Sequence, residues 1–505
     1  MKSRSAQWPS QVSLFAFTCF LVACGSSAPN VSPTQNPLVA EYAVPMTGQE
    51  GSLSVDFGTD TSYGRQTASY PVAPGRTSVL VAGMKPSTTY HMRAKLTLAG
   101  NVIWSDQDRI FTTGSLPIPA PAMIVTRTPT PALHSTENPG VELVTFSPPP
   151  NTNVLEGFVT DRDGNPIWYY APPGTVGFLK LIPNGHMLVD LNTPNGVNLI
   201  REVDLAGKTI RELPAQTLQQ ALLNIGQSWN VQSFSHDFVP LDNGHLIVLL
   251  QISKDFTNLS GYPAGSTTTV LGDALVDLDQ NWNPVWAWSA FDHLDINRRP
   301  MFFPDWTHSN AILYNPDDGN LLLSIRHQNW VIDIDYQNGG GSGDILWKLG
   351  YQGDFTLTNS TDSDDWFYAQ HFPSFVNRNA PLMTLAIFDN GDDRTDNQGT
   401  VCGTPNTLAC YSRATIFQLD HSTMQAQILW QNLPGFYSFW GGAINELQNG
   451  NVEFEMSEPF PLPTLGSRVM EVTQSNEAVW QMDLLNGSSY RTYRIPSLYP
   501  GVTWP

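Results

Sequence analysis

The chain has 505 residues, of which 14% are charged and 11% aromatic, and a formal net charge of -20. That length exceeds what a single core usually serves, so two or more domains are expected. The acidic balance excludes a nucleic-acid partner, whose phosphates need a basic face, and any anionic small substrate would need local cations of its own.

In chain order, Lys2 and Arg4 precede a short apolar stretch, residues 12–23, too short for a comfortable membrane span. It ends in LVAC (21–24) followed by GSSAPN, which resembles a bacterial lipobox with Cys24 as the lipid-modified new N-terminus. An ordinary secretory signal with an incidental cysteine is the plainer alternative. Residues 1–23 are thus expected to be a lipoprotein signal peptide and 24–37, rich in Ser, Pro and Asn, a flexible tether. The expected location is outside the cytoplasm, lipid-anchored at the periplasmic or outer-membrane side of a bacterial envelope. Cys402 and Cys410, flanking a Gly-Thr-Pro-Asn turn, then read as a loop disulfide. No CxxC or HxxxH spacing suggests a metal, and none is expected.

Residues 38–115 alternate in short apolar segments such as LSVDFG and TSVLVAGM. The stretch GMKPSTTYHMRAKL resembles the tyrosine-corner segment of fibronectin III-like sandwiches, with Tyr90 bonding back over a Pro-containing turn. This predicts a small N-terminal β-sandwich that positions something else. The Pro-rich GSLPIPAPA, 114–122, marks its boundary.

From residue 120 to 505 the chain repeats. One recurring piece is a turn pair followed by an apolar strand: PNGHMLVDL, DNGHLIVLL, DDGNLLLSI, QNGNVEFEM. A second is a strand after a turn, marked in six copies by Trp168, Ile210, Trp286, Trp347, Trp430 and Trp480. Six units of short strands with Gly/Asn/Asp turns predict an all-β fold, a six-bladed β-propeller. PAQTLQQALLNIG is the longest helical pattern.

Within those units, SFSHDFVPLDNG, DWTHSNAILYNPDDG and YAQHFPSFVNRNA align, putting His236, His308 and His371 at equivalent positions of three successive repeats. On the innermost strand of each blade, three imidazoles would converge on the axis. Arg326, closing GNLLLSIR, would return to the same end and supply a planar donor fork for oxyanions. His327 is either a neighbour of this site or a strand-edge residue. Asn310, two residues beyond His308, is a candidate for orienting its ring. His186 and His245 follow Asn-Gly and read as turn residues, while His91, His134, His293 and His421 read as incidental. Three imidazoles suit a transition metal, but an adjacent guanidinium would repel a cation. Imidazoles with arginine instead suit transfer of an anionic group by nucleophile, proton donor and charge clamp.

Taken together in their order, DWTHSN, SIRHQ, QHFP, IFDNGDDR and YSRA resemble the bacterial arylsulfate sulfotransferases over roughly residues 120–505. The resemblance implies an exported six-bladed propeller with a small N-terminal sandwich. It implies transfer of a sulfuryl group from a phenolic sulfate donor to a phenolic acceptor, ping-pong and nucleotide-independent, with no cofactor. By motif, His371 would be the nucleophile that is transiently sulfated, and His236, His308 and Arg326 would hold the sulfuryl oxygens. His308 or His236 would serve as acid and base, with Asn310 and His327 as further substrate contacts. FDNGDDR reads as scaffold, and GFYSFWGG, 435–442, as either phenol pocket or packing. The partners expected are the two phenolic substrates, membrane lipid and, for assembly, a second copy of the chain. The competing reading is a non-catalytic lipoprotein propeller that binds a ligand or protein partner.

Overall fold

The computed structural model describes residues 28–46, 50–73, 75–379, 381–395, 399, 401–403, 410–462 and 465–505. The expected signal peptide and Cys24 lie outside the described residues. The described chain is nearly all β, and no helix in it is long and apolar enough to cross a membrane. The predicted helical pattern forms Ala215–Leu222.

Two sheets open the chain. One joins Asn30–Pro33, Ala40–Met46 and Gly75–Val81; the other is built on Ser52–Gly58 and Thr89–Leu98. Thr89–Leu98 alternates buried and outward-facing residues, the period-2 pattern of a half-buried strand, and Tyr42, Val55, Phe57 and Met92 fill the space between the sheets. The Lys85 N–H donates to the Tyr90 hydroxyl at 2.9 Å, closing the turn at Pro86. The expected tether is corrected in part. Asn30–Pro33 pairs with Ala40–Met46, and buried Asn36 donates to the Tyr169 carbonyl at 3.0 Å. A Pro-containing edge strand and tight turn have the composition of a linker, which is why the sequence misleads there.

The remainder forms six sheets, each with four antiparallel strands in meander order. The second runs Thr175–Leu181, Met187–Asn192, Asn198–Val203, Thr209–Pro214. The third runs Asn230–Pro240, Leu246–Thr257, Thr267–Leu278, Pro284–Ser289, and the fourth Ser309–Asn315, Asn320–Ile325, Trp330–Ile334, Ile345–Leu349. The fifth runs His371–Asn377, Leu382–Asp389, Arg413–Asp420, Gln425–Asn432. The sixth runs Ala443–Glu446, Val452–Ser457, Leu465–Val472, Ala478–Leu485, with Ala122–Arg127 added outside. In the first sheet the C-terminal strand Ser488–Ile495 pairs with Val141–Ser147, followed by Gly157–Thr160 and Pro166–Tyr170. From the second sheet onward, each first strand lies against the first strand of the next, as far as Ser488–Ile495.

The six sequence markers all fall on the fourth strands, each beside a register shift against the third strand. Trp168 and Trp480 are fully buried and reach neighbouring turns through their indole N–H, to the carbonyls of Leu205 and Arg162. The chain end does not stay with these sheets. The Tyr499 hydroxyl accepts from Ala82 N–H and donates to the Leu80 carbonyl, both at 2.7 Å. Trp504 packs on Gly83, where a Cβ would stand 2.2 Å from the indole. One hydrophobic core therefore runs from Val55 through Trp168 to Trp504 and fixes the opening sheets to the rest.

Candidate active site

The site is assembled from the starts of the first strands. His236 lies within Asn230–Pro240, His308 just before Ser309–Asn315, His371 opens His371–Asn377, and Tyr490 lies in Ser488–Ile495. His236 and His371 sit at β-bulges, and His308 two residues before one. Register jumps between Phe234 and Phe238, between Ser309 and Ala311, and between His371 and Ser374. A bulge bends its strand and re-aims a side chain. The backbone turns left-handed at His236 (φ 44°), His308 (φ 48°) and Phe372 (φ 39°), a conformation costing non-glycine residues on the order of 1–3 kcal/mol each. At His308 it is held from both sides, because Asp273 Oδ2 accepts from Thr307 Oγ1 and Ser309 N–H, each at 2.6 Å.

The rings form a continuous run. His327 stacks on His308 with centroids 4.7 Å apart, His308 is 5.0 Å from His236, His236 is 5.3 Å from Tyr490, and Tyr490 is 6.1 Å from His371. Trp440 also stacks on Tyr490, with centroids 6.5 Å apart. A cleft of about 770 Å³ opens beyond it, lined by Phe439, Trp440, Pro459, Phe460 and Pro148.

The hydrogen bonds fix which nitrogen of His371 is free. Asn390 Nδ2 donates to the carbonyls of Ser438 and Gly441, at 2.7 and 3.0 Å, so its Oδ1 must be the atom facing His371 Nδ1 at 2.7 Å. His371 therefore carries its proton on Nδ1 and its lone pair on Nε2. Burial, followed by the charge of Arg326, holds its pKa well below the ordinary 6.5. His236 is lowered in the same way by burial and by the charges of His308 and Arg491; its Nδ1 meets the Ser235 hydroxyl.

Arg326 begins the short turn Arg326–Gln328 after Asn320–Ile325. Its Nη2 donates to Asp392 Oδ2 at 2.7 Å and the Phe439 carbonyl at 2.9 Å, and its Nη1 to His327 Nε2 at 2.6 Å. Its Nε, buried, has no hydrogen-bond partner among the described residues. Asp392 is in turn held by the Tyr437 hydroxyl at 2.5 Å. Burial pushes its carboxyl up to about 6 against the pull of Arg326. The Cys402–Cys410 disulfide packs on Tyr437, and so touches the residue that holds Asp392, the carboxylate partner of Arg326.

Two expected contacts are corrected. His327 Nδ1 donates to the Asp305 carbonyl at 2.6 Å while Nε2 accepts from Arg326. Both nitrogens are engaged, so the ring braces Arg326 and has none left for substrate; burial, then the charges of His308 and Arg326, lower it to about 3. Asn310 does not orient His308. Its amide donates to the Gln370 carbonyl at 2.7 Å, tying the fourth sheet to the fifth; the bulge turns it away. His308 Nδ1 pairs instead with Asp305 Oδ2 at 2.5 Å.

A family model described as Arylsulfotransferase (ASST) matches residues 135–493. The chain belongs to this family. No curated protein sequence matches it. Among solved structures it is similar to dihydro-heme d1 dehydrogenase NirN in complex with DHE, at TM-score 0.29 and 13% identity over 74% of this chain and 80% of that one. It is also similar to a polysaccharide lyase, PL25 ulvan lyase, at TM-score 0.33 and 11% identity over 62% and 74%. The family assignment covers every first strand of the six sheets except the last two residues of Ser488–Ile495, and so all the site residues described above.

For this arylsulfotransferase-family chain, Asp305, His308 and His327 also gather ligand-type atoms within 4.8 Å of one another. The donor set does not suit a cation: His327 has no free lone pair, and the Arg326 guanidinium lies 2.6 Å from it. Sequence reasoning missed Tyr490, Asp305 and Asp392 and read Asn390, within FDNGDDR, as scaffold. Asp305 stood in the quoted motif DWTHSN, three residues before His308. Asn390 and Asp392 stood in IFDNGDDR, whose Asp389, pairing with Arg394 and Arg413, is indeed scaffold.

Proposed function

We propose that the six sheets are the blades of a six-bladed β-propeller behind a fibronectin III-like sandwich. We further propose that the protein moves a sulfuryl group from a phenolic sulfate ester to a phenolic acceptor through a sulfated His371. The observation that carries the mechanism is the Asn390 clamp, which leaves a neutral imidazole with its Nε2 lone pair free. In the first half-reaction that lone pair forms the N–S bond as the S–O bond to the aryl group breaks; in the second, the acceptor oxygen displaces His371 from sulfur. Arg326, His236 and His308 hold the sulfuryl oxygens. Such a transfer asks the protein for positioning and charge stabilisation more than for covalent chemistry. Tyr490, its phenol kept neutral by burial that raises it to about 12, adds a hydroxyl beside His236 and His371. The aryl ring of the substrate stacks on Trp440 at the mouth of the cleft, in the offset or edge geometries aromatic pairs prefer.

The test is steady-state transfer from 4-nitrophenyl sulfate to phenol without any nucleotide. Parallel double-reciprocal lines for donor and acceptor are expected; no nitrophenol release with any phenol would favour a binding protein. Export and lipidation at Cys24 belong to the same proposal. Metabolic lipid labelling that is lost in Cys24→Ser is expected, and labelling that persists would contradict it.

A further inference from the structure

The proposed reaction, on which this inference rests, needs a proton for the departing phenolate, and two histidines stand near enough to give it. We propose that Asp305 is a positioning residue that commits His308, and not His236, to move that proton. The carboxylate Oδ2 of Asp305 meets His308 Nδ1 at 2.5 Å. That contact engages Nδ1 and makes Nε2 the nitrogen through which His308 can move a proton. His236 has only the Ser235 hydroxyl on its Nδ1. Burial, and then the charges of His308 and Arg491, keep it neutral.

The groups that face His308 come from several elements. Asp305 lies on its own loop, Asp273 and His236 in the third sheet, His327 and Arg326 at the turn after Asn320–Ile325, and His371 in the fifth sheet. Asp273 is occupied by Thr307 and Ser309, which leaves Asp305 as the carboxylate on the ring. Burial works to raise Asp305, but the hydrogen bond and charge of His308, with His327 and Arg326, outweigh it and hold the group ionised. Asp305 acts a second time through its backbone, whose carbonyl takes the His327 Nδ1–H and so sets the nitrogen that braces Arg326. One residue thereby aligns both the proton carrier and the charge clamp.

The proton balances over a cycle. As the S–O bond breaks, the phenolate oxygen takes the Nε2 proton of His308 imidazolium. In the second half the acceptor phenol returns a proton to Nε2 as its oxygen attacks sulfur and the N–S bond electrons go back to His371.

The experiment compares donors whose phenolates differ in need of a proton: phenyl sulfate, a poor leaving group, and 4-nitrophenyl sulfate, whose nitro group stabilises the anion. Asp305→Asn is expected to slow phenyl sulfate cleavage about 100-fold or more and 4-nitrophenyl sulfate less than about 10-fold, the usual reach of general acid catalysis being about 10²–10⁴. Asp305→Glu should recover part of the phenyl sulfate rate. His308→Gln gives the same comparison should Asp305→Asn fail to fold, and His236→Gln should slow both donors alike. Equal losses on both donors in Asp305→Asn and His308→Gln, or a selective loss in His236→Gln, would overturn the assignment. Turnover by the wild-type protein reads the reaction itself: no phenol from either donor would contradict the proposed function and not merely the role of Asp305.

Discussion

Along their fourth strands the six sheets are near copies, each with a marker residue, usually tryptophan, beside a register shift. Along the starts of their first strands they differ from one another. Sheets three, four and five each carry a histidine at or just before a bulge, the first sheet carries Tyr490, and the sixth is preceded by Phe439 and Trp440. The outer strands answer to packing, which rewards the same solution six times. The inner ends hold left-handed backbone, depressed imidazoles and a buried guanidinium with an unpartnered nitrogen, and features of that kind cluster where a protein does chemistry. A repeat protein thus marks its site where it departs from its own repeat.

Substitutions at the inner ends should damage rate and leave folding intact, and those at the outer strands should do the reverse. The largest effect is expected for His371→Ala, which removes the proposed nucleophile: donor cleavage should fall at least ~10⁴-fold with an unchanged melting transition. Next comes Arg326→Lys. Lysine keeps the charge but loses the fork that reaches Asp392, Phe439 and His327 together, and kcat should fall about 10²–10³-fold. Asn390→Ala frees His371 to rotate or change tautomer and should cost roughly 10–100-fold in kcat, with KM for the donor little altered. At the outer strand, Trp168→Ala should cost about 3–5 kcal/mol of stability in urea titration while kcat per folded molecule stays at the wild-type value.

The smallest effect is in pH. The His371 pKa is lowered, so its lone pair survives below the ordinary 6.5. Donor kcat/KM should show no acid loss between pH 8 and 6.5, and a midpoint inside that window would contradict the burial of the ring.

The outer strands were the legible part of the sequence, because a large apolar residue after a turn, tryptophan in five of the six, recurs at each of them and nothing else competes for the pattern. The histidine trio was legible for the same reason, being in register across three repeats. Tyr490 was not. The strand that carries it comes from the chain end and supplies the innermost position of the first sheet, so the linear order of repeats hides it. Asp305, Asn390 and Asp392 lie in turns, where Asp and Asn are common for local reasons, and only the fold reveals that they meet His308, His371 and Arg326. The misread residues 30–37 fail from the other side, since a short edge strand containing proline looks like linker until its partner is known.

The central claim is that a sulfuryl group rests on His371. Incubation with 4-nitrophenyl sulfate alone, followed by mass spectrometry of peptides kept from acid, tests it most directly. The account predicts a mass increase of one SO₃ group on the peptide containing His371, matched by a stoichiometric burst of nitrophenol and discharged by added phenol. A burst with no adduct on that peptide, or an adduct on the peptide of His236 or His308 instead, would contradict it.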